Sequence, residues 1–261
     1  SWSAFDLAKR WRVPPRAIAA SAVVILLALG VVSSRQVGTW RNTETLYQRA
    51  LAVTDDNYLA HTGFGNLFLR QGRIDDAAWH FSEAVRIAPG WPKATMGLAD
   101  VAAARGNLAD ALRAYEAELR RNPVSIETIG RYGITLAAAG RYAEARPHLQ
   151  RALAEYPGIA TLHLSLSIVE DRLGNPREAV RYGREAQRLS PESVEAANNL
   201  AWLLATHPRD DIRDPSGALA LARALNTATG DKVANILDTL GVAQAAAQCH
   251  NCGPISFRQG Q

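Results

Sequence analysis

Three columns of residues recur at one spacing. Gly72, Gly106, Gly140 and Gly174 stand 34 residues apart, as do Ala77, Ala111, Ala145 and Ala179, and Pro89, Pro123, Pro157 and Pro191. A fixed period of this length marks helix pairs that cannot bury their apolar sides alone, so a core forms only where neighbours stack. Such a chain is all-α. It offers an extended concave surface, which suits holding another molecule better than transforming one.

With each proline at position 32, whole units run over 58–91, 92–125, 126–159 and 160–193. The glycines fall between two helices, where a positive φ meets no side chain. Bulky Phe64, Leu98, Tyr132, Leu166 and Leu200 take position 7, beside small Gly65, Ala99, Gly133, Ser167 and Ala201 at position 8. This is large-beside-small packing at helical spacing. Together with Ala77, Phe81 and Ala84 in GRIDDAAWHFSEAVRIAP, these residues resemble tetratricopeptide repeats. The resemblance implies a right-handed helical-hairpin solenoid.

The register extends in both directions. Backwards it places Gly38, Thr43, Tyr47, Ala50 and Asp55 as a half repeat over 35–57. Forwards, VEAANNLAWLLAT opens a repeat over 194–229 whose turn, HPRDDIRDPSG, is lengthened. Residues 230–247 read as a first helix without its partner, with Leu240 and Gly241 at positions 7 and 8. The tail 248–261 drops the alanine and leucine usage before it, as an altered reading frame or a truncated repeat would. The unpaired helix is expected to be the least stable part of the array.

Ahead of the repeats, after a flank over 1–16, residues 17–34 carry no charge. As a helix they reach about 27 Å, close to a bilayer's hydrocarbon thickness, which predicts an N-terminal transmembrane helix with the lipid bilayer as partner. Trp2, Phe5 and Trp11 fit an interface, Pro14 and Pro15 punctuate the entrance, and Arg16 and Arg35 bracket the run. A buried soluble helix would show a polar stripe, and a cleaved signal peptide would end at a small-x-small site; neither is present. Lys9, Arg10, Arg12 and Arg16 precede the run, whereas Arg35, Arg41 and Arg49 follow it. That bias predicts the amino-terminal flank in the cytoplasm and the array on the extracytoplasmic side, of a membrane expected to be the bacterial cytoplasmic one. With no flexible linker between span and repeats, the array would be held at a restricted angle.

The net charge is +4, and lysine occurs only at Lys9, Lys93 and Lys232, so no basic block argues for nucleic acid. Since the chain begins at Ser1 and its only methionine is Met96, it reads as a fragment of a longer protein.

Candidate chemistry is sparse. Cys249-His250-Asn251-Cys252 has no second pair to complete a zinc site and no strand-helix context for a redox site. Gly63-Phe64-Gly65 lacks the third glycine and the strand of a phosphate loop. His61 and His163 share position 4, a packing position in the motif. No catalytic residue, metal or cofactor is therefore expected. In the resembled motif, positions 2, 5, 6, 9, 12 and 13 of first helices point inward. They supply Asn66, Arg70, Lys93, Asp100, Arg131, Asp171, Arg172, Asn198, Asn199 and Trp202. With small Gly63, Gly97 and Gly130 between them, this concave face is expected to grip a protein or peptide through its backbone and scattered charges. The lysine and asparagine clamp for a terminal carboxylate is absent, because position 5 reads Thr62, Met96, Gly130, Leu164 and Asn198.

After the apolar run come Trp40-Arg41-Asn42-Thr43-Glu44 and Leu46-Tyr47. This junction resembles the carboxy-terminal part of multi-pass membrane proteins with tetratricopeptide tails that are similar to protein O-mannosyltransferases. That resemblance implies a lipid-linked-sugar-dependent glycosyltransferase whose repeats present acceptor proteins. Its catalytic carboxylates would lie upstream, so none is carried over and this chain alone would be inactive. The sequence thus supports a membrane-anchored scaffold, with the acceptor-binding tail of such an enzyme as the alternative.

Overall fold

A computed structural model describes residues 14–39, 42–230 and 233–248. Among the described residues there are thirteen α-helices and no strand. They are α1 (Pro15–Thr39), α2 (Thr43–Val53), α3 (Tyr58–Arg70), α4 (Ile74–Ile87), α5 (Pro92–Ala104), α6 (Leu108–Arg121), α7 (Ile126–Ala138), α8 (Tyr142–Glu155), α9 (Ala160–Arg172), α10 (Pro176–Leu189), α11 (Val194–Thr206), α12 (Pro215–Thr229) and α13 (Ala234–Gln248). Two compact units divide the chain after Val101.

Local chemistry sets the helix limits. Gly72, Gly106, Gly140 and Gly174 adopt φ between 72° and 80°, the left-handed turn that separates the helices of each pair. Asn42, Asn57, Ser125 and Ser193 cap α2, α3, α7 and α11 by accepting backbone N–H groups. Helix α1, in contrast, continues through Gly38, which the register had placed at a turn. Glycine permits a turn without imposing one.

In the first unit α2 packs on α3, and α3 on α4. The core is built on Phe64, Phe68, Ala77, Phe81 and Val101. Phe81 is fully buried. A Cβ at Gly65 would lie 2.6 Å from its Cε1, and one at Gly97 closer still. The ring is thus wedged between the first helix of its own pair and that of the next. Tyr47 lies in the same way over Gly63.

In the second unit each first helix packs on its own second helix, and each second helix on the next first helix. Leu149 takes the place of Phe81 and covers Gly133, where a Cβ would lie 3.0 Å from its Cγ. At the next equivalent place the sizes are reversed. Gly183 is the small partner, and a Cβ there would meet Leu200 at 3.3 Å and Ser167 Oγ at 3.0 Å. Filled volume rather than residue identity is kept from pair to pair.

A charge pair is also built into this unit. Glu170 on α9 is 1% exposed; its Oε2 accepts a hydrogen bond from Asn175 Nδ2 at 2.8 Å. Arg146 Nε on α8 stands 2.9 Å from Oε1, an ion pair without the alignment of a hydrogen bond.

The lengthened turn after α11 is anchored. Ile212 is buried against Leu200, Leu204 and Ala218, and the Asp214 N–H donates to Leu204 O at 2.9 Å. Asp214 Oδ1 caps α12 by accepting from Gly217 N. Asp211 accepts from Arg209 and Arg177, and these guanidinium groups hold its carboxyl down to about 2.

Among the described residues no helix is long and apolar enough to cross a membrane. The span expected over 17–34 is corrected to that extent. Helix α1 is regular, but the side chains of residues 15, 18, 32 and 34–39 lie outside the described set. The continuous described run, 19–31, amounts to about 20 Å of helix against a hydrocarbon core of about 30 Å. Within it Val23, Val24, Ile25, Leu26, Leu27, Leu29 and Val31 are each more than half exposed. Trp2, Phe5, Trp11, Trp40, Arg41, Cys249, His250 and Cys252 also lie outside the described residues.

Candidate functional site

The side chains expected on the inner face divide between the two units, and each group is bounded by its own unit. In the first, Arg70 and Lys93 are exposed and Asp100 is half-buried. Asn66 is turned onto its own helix, where its Nδ2 donates to Thr62 O at 3.0 Å. Gly63 and Gly97 do not leave a channel for a bound backbone, since the rings of Tyr47 and Phe81 occupy the space beside them. At these two positions the small residue makes room for aromatic packing.

In the second unit, Arg131 Nη2 donates to Glu127 Oε1 at 3.0 Å, and burial lowers the pKa of its guanidinium. Asn199 Nδ2 donates to Ser167 Oγ at 3.1 Å, and that hydroxyl donates to Ala179 O at 2.8 Å. Trp202 packs on the apolar cluster formed by Leu200, Leu204 and Ile212. Asn199 and Trp202 are therefore engaged in the fold while remaining half-exposed.

Asp171 and Asn198 differ from these. Burial raises the Asp171 carboxyl above its usual range, partly offset by Arg172 and His207. Among the described residues its side chain has no hydrogen bond and no ion pair within 4 Å. Asn198 on α11 is half-buried, and its Oδ1 is shielded from solvent with no donor. Arg172, next to Asp171, is exposed. Of these groups, the half-buried Asp171 carboxylate, engaged only through charge, is open to a cation of a bound molecule, and Asn198 Oδ1 is an unmet acceptor that a small rotation of its side chain would present.

The two position-4 histidines also differ. His163 is buried, with Nε2 2.9 Å from Pro157 O, a packing role. His61 instead meets His80 on α4, with Nδ1 to Nδ1 at 3.1 Å. His80 stacks on Phe64 at 4.8 Å between ring centroids and meets Trp79 edge-on at 4.7 Å. Burial first, and the neighbouring His61 second, hold its pKa down to about 4. Burial also lowers that of His61, against a smaller raising effect of Glu83. His80 shares its column with His148, two periods on, but with Ala114 and Tyr182 in the other units, so the period alone does not single it out. The adjoining Trp79-His80 dipeptide on a predicted helix, facing a position-4 histidine, was the available signal.

Models described as tetratricopeptide repeat match residues 36–92, 91–126 and 164–229, and a second of the same description matches 124–192. These matches concern the repeats alone and lend no support to a kinship with O-mannosyltransferases. A curated relative, a probable biofilm formation methyltransferase WspC of Pseudomonas putida, is 39% identical over 70 residues. That stretch is 27% of this chain and spans only 16% of the relative's length. A thermophilic TPR protein of Thermus thermophilus superposes with a TM-score of 0.56 at 21% identity, over 73% of this chain and 99% of that one. The pilF protein of Pseudomonas aeruginosa does so with 0.51 at 22% identity, over 75% and 91%. At these identities the two structures show a common fold.

Proposed function

The chain belongs to the tetratricopeptide repeat family, and from that premise we propose that it is a protein-binding scaffold whose second unit holds a polypeptide at Asp171 and Asn198. The observation that carries this reading is that the half-buried Asp171 carboxylate meets Arg172 and His207 through charge alone, and that Asn198 Oδ1 has no donor in the fold. His207, which acts on Asp171 electrostatically, lies nine residues after Asn198. Along α11 that is about 13 Å, the reach of roughly four extended residues. A peptide amide would donate to Asn198 Oδ1, and a lysine or arginine of the same segment would sit at Asp171.

The test is a fluorescence-anisotropy screen of basic peptides followed by titration. Asn198→Leu and Asp171→Asn should each weaken a captured peptide by about tenfold, the loss of one partly desolvated hydrogen bond. Equal affinity for the unmodified chain and both variants would place the binding surface elsewhere.

The exposed apolar side chains of α1 support a second part of the reading: this helix fastens the scaffold to a lipid bilayer, with the repeats on the extracytoplasmic side of a bacterial cytoplasmic membrane. The full chain should float with phosphatidylcholine vesicles at high salt and be released by detergent. Replacing Ile25, Leu26 and Leu27 with serine should abolish flotation, whereas release by salt alone would exclude an apolar attachment. A reporter fused after Gln261 should be active outside the cytoplasm; activity inside would reverse the orientation.

A further inference from the structure

We propose that His61 and His80 form a two-histidine binding site for a divalent transition-metal ion, copper(II) above the others. The imidazoles approach through their Nδ1 atoms, 3.1 Å apart. Two nitrogens at this separation, each about 2.0–2.1 Å from one ion, subtend roughly 100°, between the square-planar and tetrahedral angles. Neutral imidazole nitrogens are the ligands such ions prefer, and copper(II) stands highest in the affinity order for a given site.

The surroundings favour the ligating state. Burial shifts both rings towards the neutral form, which is the form that ligates. At present one Nδ1–H donates to the other Nδ1. On metal binding the donor ring keeps its proton at Nε2 instead, a tautomer change with no net proton release. Phe64 and Phe68 flank the His80 ring and restrict its rotation. Trp79 is 58% exposed, so the histidine pair adjoins the surface. Among the described residues no three histidine, cysteine, aspartate or glutamate side chains stand close enough to share an ion. The site therefore supplies two protein nitrogens, and water completes the coordination.

The experiment is a copper(II) titration of the full chain at pH 7.5. Trp79 lies 4.7 Å from the His80 ring, so copper bound there should quench its emission. The quenched fraction is taken as the difference between the full chain and Trp79→Phe, which separates this site from copper taken up at Cys249 and Cys252. Pulsed electron paramagnetic resonance of the same samples should show two coupled imidazole nitrogens. His61→Gln and His80→Gln, checked for helicity by circular dichroism, should each lose the Trp79-dependent quench and weaken binding by at least tenfold. No Trp79-dependent quench in the unmodified chain, or an unchanged quench in His61→Gln, would overturn the site, as would a spectrum with no coupled imidazole. That result would leave the pair as a hydrogen bond within an aromatic cluster.

Discussion

Phe81→Ala lowers the stability of the first unit by about 3–5 kcal/mol, the range for deleting a fully buried phenylalanine. The expected size follows from the ring's position between Gly65 and Gly97, because two helix backbones face the cavity and neither has a side chain to fill it. Gly97→Ala should also destabilise, by about 1–3 kcal/mol, since the added methyl group collides with the ring. That sign opposes helix propensity, which favours alanine over glycine by up to about 1 kcal/mol. The pair should couple. Adding Gly97→Leu to Phe81→Ala should recover part of the loss, because a side chain at position 97 enters the space left by the ring. Urea unfolding measures the sum, and native-state hydrogen exchange of α3 to α5 places the effect, because repeats can open separately. Additive losses, or protection unchanged in α3 and α4, would refute the wedge.

Arg146→Met should cost about 3 kcal/mol, the low end of the range for breaking a buried ion pair. Glu170 is 1% exposed and would be left with Asn175 alone, whereas Arg146 is 43% exposed and brings part of its charge from solvent. Glu170→Met should be milder, since the arginine that remains can turn to water. The double variant should recover most of the loss of Arg146→Met, because an apolar pair of similar volume needs no desolvated charge. Urea titration of the four proteins gives the coupling directly. If Arg146→Met and the double variant fell equally, Glu170 would not be the source of the cost.

The repeat pairs were legible in the sequence because each repeating column reports a requirement that every pair must meet. A left-handed turn needs glycine at 72, 106, 140 and 174, and a close helix contact needs alanine at 77, 111, 145 and 179. The functional face was only partly legible. Position along a helix indicates a side, but not whether a side chain is already engaged there. Asn199 is held by Ser167, Asn66 by its own helix and Trp202 by the core, whereas Asn198 Oδ1 has no donor and Asp171 meets Arg172 and His207 through charge alone. Gly63 and Gly97 looked like space for a ligand, but that space is filled from a neighbouring helix.

By itself the sequence determined the helix pairs, their turns and the stacking rule, because these follow from local propensity and a period of 34 residues. Only tertiary structure decided that His61 meets His80, that Arg146 reaches Glu170, and that Phe81 sits between two glycines. These contacts join residues from different columns on different helices. They exist only once helix pairs have closed and stacked, and the dry surroundings they create lower the pKa of His61 and His80 and leave Glu170 buried against Arg146.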